Sequence, residues 1–513
     1  MLRISEILPA CGLAIAVLMP VPSSAAASPT PEQMAQARPS APAILRAVDI
    51  KGSSIAPALE RVMRPYLGAS LDDERLQALA NVLTAAYARS DVAIYTIDLH
   101  GLGEDGRLTV AVREGYVEQL RFTGLEQGVG ARVRSVVQPL QKEGTLSKKR
   151  LQRVLRLIQA IPGAQVEATM VAGAQPGGLE IRFHTSARER QLGVLFHNNG
   201  QPIAGREQML LSAQGNSVLR AGDQLVLQGG VSLNGRTLIG AVAYSQPLGK
   251  NGLSLDLSAA ASSNRLPYLR LDGDAHILSA GLSYPLLLNE RDSLTASVSA
   301  NVQVSQTRFF GYRIFREKAP SMRASLRWRR ETLRAISAVM LTASRSIPGN
   351  PVEVSEPLAD RHFTKMEMEA SYDQLIGRNV ALRLRMMGQY SPDALAQAEG
   401  GFLGGQDYGR AYEPAILIGD SAIAGSMEIA WAPVEKSAHR VELFGAIDAA
   451  RAYYNERPLY NSGRFDLASL GGGVRAAKGG LNTDIGVYRA LTKPFPGYDK
   501  GWRALVSVGF SFP

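Results

Sequence analysis

The chain is nearly devoid of cysteine, because its 513 residues contain only one, Cys11. That residue lies in an N-terminal segment typical of a secretory signal peptide, with an early arginine, an apolar stretch and small residues at positions 25–27. We therefore predict that residues 1–27 are a signal peptide. The mature chain would then contain no thiol, which excludes disulfides, thiolate metal sites and cysteine nucleophiles.

Beyond this segment the sequence lacks a long apolar run. No stretch of about 18 apolar residues follows, so no transmembrane helix is predicted. The mean hydropathy of −0.05 is too low for a bundle of membrane helices. A β-barrel remains compatible with it, because barrel strands need apolar residues on only one face. Export without a helical anchor leaves the periplasm, the medium or the outer membrane.

Motifs for metal binding and catalysis are also missing. The histidines lie far apart and form no HExxH motif; they are His100, His184, His197, His276, His362 and His439. No GxSxG serine motif and no phosphate-binding P-loop occurs in the sequence. We therefore expect that the chain binds no metal and no cofactor, and that it is not an enzyme.

One segment, GLGEDG at residues 101–106, matches the letters of a dinucleotide-binding fingerprint. A phosphate-binding loop must follow a strand and open a helix, so that free amides and the helix dipole face the anion. Here a strand-like segment follows, and Glu104 and Asp105 would repel a phosphate. We interpret the segment as a hairpin turn.

The formal net charge of +10 raises the option of nucleic-acid binding. However, many arginines alternate with apolar residues along strand-like segments, and these are Arg323, Arg327, Arg329, Arg383 and Arg385. If these segments are barrel strands, the arginines lie on the polar face of each strand, which lines the lumen. The alternative is that they belong to exposed surface loops. We favour pore-lining charge and expect no nucleic-acid partner.

Three regions follow the predicted signal peptide. Residues 28–42 are rich in proline and alanine and predict a linker or a short plug segment. Residues 43–115 have the pattern strand, helix, helix, strand, strand, and residues 116–187 repeat it. Ser70 is the predicted N-cap of the second helix. We therefore predict two small α+β modules of βααββ order.

From residue 188 to residue 513 the helical patterns vanish and a period of two takes over. In SLTASVSANVQVSQ, apolar residues from Leu294 to Val304 alternate with polar residues from Thr295 to Ser305. Such segments, each about 9–11 residues long, recur often enough for about 16 antiparallel strands. The sequence therefore predicts a transmembrane β-barrel, whose last strand ends in the aromatic residues Phe510 and Phe512.

One segment of this region, GGQDYGRAYEPAILIGD at residues 404–420, follows no ordinary loop pattern. Its arginine, Arg410, lies between glycine and aromatic residues. A planar guanidinium is suited to fixed pairing with a carboxylate, so we expect it to point into the lumen. The carboxylates considered as its partners are Asp420, Glu428 and Asp448.

The two βααββ modules resemble polypeptide-transport-associated (POTRA) domains. The barrel with its unusual loop resembles the two-partner secretion transporters, also called hemolysin secretion/activation proteins. The resemblance covers nearly the whole mature chain. Its most specific element is the inward loop between the eleventh and twelfth strands, whose family core is Arg-Gly-Tyr or Arg-Gly-Phe.

By this resemblance the inward-loop motif consists of Gly409, Arg410, Ala411, Tyr412, Gly419 and Asp420. The arginine, Arg410, corresponds to the loop tip, and Asp448 matches the acidic partner on the thirteenth strand, with Glu428 as a second wall carboxylate. Two residues depart from the family, because glycine is usual at the positions of Ala411 and Ala450. These departures affect the details of loop packing and remove no charge.

The resemblance also implies location and function. The modules would lie in the periplasm and the barrel in the bacterial outer membrane, where it would export a large exoprotein of the hemolysin or adhesin type. The implied partners are that exoprotein, through its N-terminal secretion domain, the outer-membrane lipids and, during biogenesis, the barrel-assembly machinery. Two alternatives remain, namely a barrel-assembly or translocation factor of the same superfamily and a passive porin with periplasmic binding domains.

Overall fold

The computed structural model describes residues 44–100, 103, 105–354, 358–436, 439–458 and 461–512. The predicted signal peptide and the predicted linker or plug segment lie outside these residues. The chain divides after Ala187 into two compact units. No helix in the described ranges is long and apolar enough to cross a membrane.

The first module has the βααββ order. Its elements are β1 (Ala47–Lys51), α1 (Ala56–Met63), α2 (Asp73–Arg89), β2 (Tyr95–His100) and β3 (Arg107–Glu114). The central strand β3 pairs parallel with β1 and antiparallel with β2. Apolar residues of both helices, such as Leu59 and Leu83, pack with Leu108 and Val110 of the sheet to form a closed core.

The start of α2 differs from the prediction that Ser70 is its N-cap. Asp72 is the N-cap, because its carboxylate accepts the amide of Arg75 at 2.8 Å. Ser70 instead forms an isolated β-bridge with Ile44. The predicted cap was therefore wrong by two residues, since an aspartate and a serine in the same short segment compete for the same role.

The segment GLGEDG connects two paired strands. β2 and β3 run antiparallel on either side of it, with His100 opposite Thr109. Residues 101, 102 and 104 lie outside the described part of the chain, whereas Gly103 donates its amide to the carbonyl of Arg107 at 3.0 Å. A strand and not a helix follows the segment, so the arrangement that phosphate binding requires does not form.

The second module repeats the topology of the first. Its elements are β4 (Tyr116–Gly124), α3 (Val129–Val137), α4 (Lys148–Gln159), β5 (Ala164–Ala172) and β6 (Gly178–Ala187). Here β6 is the central strand, parallel to β4 and antiparallel to β5. Each module therefore has two outer strands in a three-stranded sheet.

The second unit is a closed barrel. Its strands and the short strands in its connections are β7 (Arg190–His197), β8 (Gln208–Asn216), β9 (Gln224–Ser232), β10 (Thr237–Leu248), β11 (Leu253–Leu266), β12 (Leu271–Leu288), β13 (Asp292–Phe309), β14 (Tyr312–Glu331), β15 (Ala335–Ser346), β16 (Glu353–Val354), β17 (Thr364–Ile376), β18 (Val380–Tyr390), β19 (Gly401–Leu403), β20 (Leu417–Gly419), β21 (Ser421–Lys436), β22 (His439–Tyr454), β23 (Gly463–Lys478), β24 (Leu481–Ala490) and β25 (Trp502–Phe512).

Without the three short strands β16, β19 and β20, sixteen antiparallel strands form the barrel wall. The last strand closes on the first, with Ser507 opposite His197 and Phe512 opposite Leu192. This confirms the predicted fold class. Strands β12 and β13 have 18 residues each and β14 has 20, so they are longer than the 9–11 residues that cross a membrane.

The barrel strands alternate as the sequence pattern predicts. On β21, Ile423 and Ile429 are 54% and 52% exposed, whereas their neighbour Glu428 is 4% exposed on the opposite face. Exposed apolar side chains on the outer face of a membrane barrel contact lipid. The polar face is therefore the inner one, and the buried charged residues of the barrel, such as Glu428, lie on it.

The two modules of the first unit are joined by a carboxylate. Glu114, the last residue of β3, accepts hydrogen bonds from the amide and hydroxyl of Ser54 and from the hydroxyl of Tyr87, all at 2.8 Å. The hydroxyl of Thr145, in the second module, donates to it at 2.9 Å. Burial alone would raise the pKa of Glu114, but these donors outweigh burial and lower the pKa below its ordinary value.

A second carboxylate supports the same junction. Asp91, just after α2, accepts the amide of Lys149 at 2.9 Å and the hydroxyl of Ser147 at 2.7 Å. Ser147 is itself the N-cap of α4. The start of this helix is therefore held by a side chain from the preceding module as well as by its own cap.

We expect Glu114→Gln to loosen the junction, because a neutral amide accepts these hydrogen bonds less strongly than a carboxylate. Hydrogen–deuterium exchange of the full-length protein should be faster in peptides that contain Ser54 or Thr145. The increase should correspond to a loss of about 1–3 kcal/mol in the free energy of local opening. The control Glu60→Gln, at an exposed position of α1, should leave both peptides unchanged.

The same variant tests the pH dependence. A carboxylate whose pKa is lowered by folding stabilises the folded state above its unfolded pKa, and this stabilisation is lost as the pH falls through the folded value. Exchange corrected for the intrinsic rate should therefore accelerate in acid more for wild type than for Glu114→Gln. Equal acceleration in the two proteins would contradict the role of this carboxylate.

Candidate functional site

The connection between the eleventh barrel strand, β18, and the twelfth, β21, folds back against the inner wall. This inner loop covers residues 391–420. Its stem contains the antiparallel pair β19 and β20, with Gly401 opposite Gly419. Its tip, residues 404–416, packs with the inner faces of β21–β25 in one apolar cluster, to which the loop contributes Leu403, Tyr408, Ala411, Tyr412 and Leu417.

Small side chains line the wall that receives the inner loop. Every second residue along β21 and β22 is buried, and most of these residues are alanines: Ala422, Ala424, Ala430, Ala432, Ala446, Ala450 and Ala452. Small wall residues leave room for the large side chains of the loop, Tyr408 and Tyr412, to pack at the density of a protein interior. This half of the wall is therefore built to hold the loop.

The wall formed by β13 has a different inner face. Its residues Thr295, Ser297, Ser299 and Asn301 are half-exposed and polar. No residue of β13 belongs to the cluster around the loop. The inner loop therefore covers one side of the lumen and leaves a polar surface on another.

The backbone at the loop tip requires glycine at one position in particular. Gly409 has a φ of 85°, a conformation that side chains with a Cβ rarely adopt. A Cβ there would also lie 3.1 Å from Leu467 and 3.3 Å from Tyr412. Glycine at this position lets the tip turn while it stays against the wall.

A wall carboxylate, Asp448 on β22, fixes the height of the loop tip. One of its oxygens, Oδ1, accepts the backbone amides of Gly409 and Arg410, the latter at 3.2 Å. The hydroxyl of Ser469 donates to the same oxygen at 2.6 Å. Asp448 is 2% exposed, so it depends on these donors for the hydrogen bonds that water would otherwise supply.

The guanidinium of Arg410 pairs with the other predicted wall carboxylate. Its Nη1 lies 3.3 Å from Oε2 of Glu428, and its Nε donates to the carbonyl of Gln406 at 3.2 Å. The guanidinium carbon lies 5.6 Å from the centre of the Tyr488 ring. Asp448 thus binds the backbone of the tip and Glu428 binds its side chain, so the two carboxylates have different tasks.

Glu428 is shared among several arginines. Arg383 donates to it at 2.7 Å and Arg475 at 2.9 Å. Both arginines also bind Glu442, and Arg475 pairs with Asp484 at 2.7 Å. A buried carboxylate with this many donors keeps its partners when one of them leaves.

This charge cluster is balanced without the loop. Its wall arginines are Arg383, Arg440 and Arg475, and its carboxylates are Glu428, Glu442 and Asp484. Three positive and three negative charges give a net charge of zero. Arg410 adds a fourth positive charge, so its departure would leave this cluster neutral.

The aromatic residue of the motif, Tyr412, is fully buried. Its hydroxyl lies 2.9 Å from the carbonyl oxygen of Ala468 and 2.8 Å from that of Thr492. The guanidinium of Arg503, on β25, donates to the carbonyl of Tyr412. The tip is therefore tied to three consecutive wall segments, from β23 to the last strand.

The two departures from the family pattern are compatible with the packing. Ala411 does not have a positive φ, so alanine fits there without backbone strain. It is 7% exposed and belongs to the apolar cluster. Ala450 faces the loop from β22 and is 6% exposed. Both methyl groups fill space at the contact between loop and wall.

The Gly-Asp pair of the motif belongs to the stem. Asp420, which follows Gly419, is 2% exposed and accepts both terminal nitrogens of Arg457 at 2.7 and 2.8 Å. It also accepts the amides of Leu395 and Asn455 at 2.8 and 2.7 Å. This carboxylate joins the two ends of the inner loop to the connection between β22 and β23.

A second stem carboxylate, Glu399, was not foreseen from the sequence. It is 1% exposed and pairs with Lys365 and Arg323, each at 2.9 Å. Nearby, Glu317 of β14 accepts the amides of Gln397 and Ala398. Period-two alternation places Lys365 and Arg323 on the inner face, but only the strand register shows that they meet the stem.

The arginines predicted to line the lumen are largely neutralised. Arg323 binds Glu399, Arg383 binds Glu428, and Arg385 binds Asp373 at 2.8 Å. The inner wall is therefore better described as a network of ion pairs than as an excess of positive charge. Among the described residues, no group of His, Cys, Asp and Glu is arranged to hold a metal ion.

The chain is similar in sequence to one family of known proteins. The sequence model of the family described as Haemolysin secretion/activation protein ShlB/FhaC/HecB matches residues 179–476, a range that contains the inner loop and both wall carboxylates. No curated protein matches the chain.

Three solved structures are similar to the chain. CdiB from Escherichia coli has a TM-score of 0.79 and 19% identity, over 94% of this chain and 93% of that one. CdiB from Acinetobacter baumannii has a TM-score of 0.70 and 14% identity, over 93% and 91%. BamA from Haemophilus ducreyi lacking POTRA domains 1–3 has a TM-score of 0.53 and 14% identity, over 91% and 100%. At these identities the likenesses show the fold.

The role of Asp448 is tested by Asp448→Asn. An amide oxygen accepts backbone amides less strongly than a carboxylate, so the loop tip should leave the wall more often. Trypsin cleaves after arginine, and we expect cleavage after Arg410 in the detergent-solubilised protein to be about tenfold faster, as for a loss of about 1.4 kcal/mol.

Asp373→Asn is the matched control, because Asp373 pairs with Arg385 on the inner wall and does not contact the loop. It should leave cleavage after Arg410 at the wild-type rate. If Asp448→Asn also cleaves at the wild-type rate, this carboxylate does not hold the tip.

Proposed function

This chain belongs to the haemolysin secretion/activation protein family, and from that membership we propose that it exports one large exoprotein of the haemolysin or adhesin type to the cell surface. The family makes it a two-partner secretion transporter of the bacterial outer membrane, with its N-terminal modules in the periplasm. The identity of the cargo is the proposed part. The observation that carries the mechanism is the loop tip held by Asp448 and Glu428 inside the barrel.

Capture of the unfolded cargo is assigned to the modules. Each three-stranded sheet has two outer strands, β1 and β2 in the first module and β4 and β5 in the second. An outer strand presents unpaired amides and carbonyls, to which an extended segment adds by backbone hydrogen bonds. Recognition of this kind suits a cargo that is unfolded in the periplasm and folds only after export.

Passage through the barrel requires the loop tip to move. A sixteen-stranded barrel is wide enough for an extended chain, but the tip fills the lumen next to β21–β25. The charge cluster supports such a movement, because Glu428 retains Arg383 and Arg475 when Arg410 leaves. Displacement therefore leaves this charge cluster neutral. Its cost comes from the apolar contacts of the tip and from Asp448, which loses the two amides that it accepts and keeps the hydroxyl of Ser469.

The stem remains in place in this proposal. Asp420 and Glu399 are almost completely buried and each depends on cationic partners, so separating either from them would cost about 3–5 kcal/mol. The first two residues of the tip, next to the stem, are Gly404 and Gly405, whose φ values are 100° and 97°. Glycines are suited to absorb a backbone rotation there. The tip would thus pivot while the stem stays anchored.

Arg410→Ala tests the proposal. A charge-assisted hydrogen bond contributes about 1.5–3 kcal/mol, so the equilibrium between the seated and the released tip should shift toward release by a factor of about ten or more. We expect secretion of the cognate exoprotein to be abolished while the barrel still inserts in the outer membrane, as judged by heat-modifiable electrophoretic mobility. Single-channel conductance in planar bilayers should rise at the same time.

Arg385→Ala is the control, because it removes an equal charge from the inner wall away from the loop. It should secrete normally. Normal secretion by Arg410→Ala would refute the role of the loop tip.

Two other outcomes would favour the alternative functions. A wild-type barrel with a stable, open, large conductance would favour a passive porin, and rescue of other barrel proteins would favour an assembly factor.

A further inference from the structure

The turns at the periplasmic end of the barrel share one feature. Because β7 follows the periplasmic modules and the strands alternate in direction, the connections after β8, β10, β12, β14, β17, β21 and β23 lie at that end. Six of these seven carry an exposed cation in the turn or at the adjoining strand end, namely Arg220, Lys250, Arg291, Arg334, Arg378 and Lys478. We name these six residues the cation ring. The seventh connection, 437–438, lies outside the described residues.

Three carboxylates near the cation ring have other partners. Glu331 pairs with Arg329 at 3.4 Å, and Asp292 lies 3.9 Å from Arg330. Asp223 is fully buried and accepts the amides of its own turn. The ring cations themselves are exposed at all six positions. The ring therefore presents its positive charge to the surroundings of the barrel.

Exposed apolar side chains lie beside the cations. Leu219 is 71% exposed next to Arg220, and Leu333 is fully exposed next to Arg334. Ile376 is 51% exposed two residues before its ring cation. Apolar side chains that end at a row of cations match the boundary between acyl chains and headgroup phosphates, where long basic side chains extend toward the phosphates.

We propose that the cation ring binds anionic phospholipid headgroups, those of phosphatidylglycerol and cardiolipin, in the inner leaflet of the outer membrane. Charge complementarity selects this partner, because an exposed cation lies at six of the seven turns around this end of the barrel. A cation near an anionic membrane surface favours an anionic over a zwitterionic lipid by about fivefold. The ring fixes the height of the barrel in the membrane independently of the inner loop and of any cargo.

The three tryptophans of the chain report on the two ends of the barrel separately. Trp431 lies opposite Val380 on the neighbouring strand, and Val380 follows the ring residue Arg378 by two positions. Trp328 lies three residues before the end of β14. Both therefore lie near the periplasmic end. Trp502 is the first residue of β25 and lies at the opposite end, where it is 67% exposed.

The experiment measures quenching of these tryptophans by brominated lipids. The protein, with Trp502→Phe, is reconstituted in phosphatidylcholine vesicles that contain an equal fraction of dibrominated phosphatidylglycerol or dibrominated phosphatidylcholine. We expect the relative association constant to favour phosphatidylglycerol by about fivefold at Trp328 and Trp431. The triple substitution R291Q/R334Q/R378Q should reduce this preference to about one.

The control R313Q/R345Q/R361Q removes the same charge at the extracellular end and should retain the preference at the periplasmic tryptophans. In a Trp328→Phe/Trp431→Phe protein, quenching of Trp502 at the opposite end should be the same with and without the ring substitutions. Equal quenching by the two lipids in the starting protein would overturn the proposal. So would a preference that survives in the ring variant, or one that the control abolishes to the same extent.

Discussion

The position of the inner loop depends on hydrogen bonds from its backbone to Asp448. The position of a backbone amide is set by the path of the main chain, whereas a long side chain can rotate. A carboxylate that binds two consecutive amides therefore fixes the position of the tip more strictly than one that binds a flexible side chain. From that position Arg410 reaches Glu428 and Tyr412 reaches the carbonyl of Ala468. The other contacts of the motif follow from this one constraint, and the alanine-lined wall supplies the space for it.

The stem and the tip are held by different physical means. The stem carboxylates, Asp420 and Glu399, are almost completely buried and have cationic partners, so separating them from these cations is costly. The tip arginine shares Glu428 with two wall arginines, so the charge cluster around Glu428 remains neutral without it. A loop with a fixed stem and a releasable tip is what a transporter needs if it must narrow its lumen at rest and widen it for an extended chain.

The sequence predicted the architecture because alternation and repeat order are local properties. The period-two segments gave the barrel and the repeated order gave the two modules, whereas the helix cap was placed at Ser70 instead of Asp72 because both residues suit that position. Contacts within the site were harder to predict. Arg410 was expected among three carboxylates, but Arg475 lies 47 residues from Glu428, and only strand register brings the two together. Glu399 and Arg457 were missed for the same reason.

The central claim is that the loop tip lies against the inner wall when no cargo is passing. Because the mature chain is predicted to contain no cysteine, Ala411→Cys can be labelled selectively with a large membrane-impermeant maleimide on intact cells, with Tyr312→Cys, whose native side chain is 79% exposed, as the accessible reference. The account predicts that position 411 is protected without cargo while position 312 reacts fully. Equal labelling of the two positions in resting cells would contradict it.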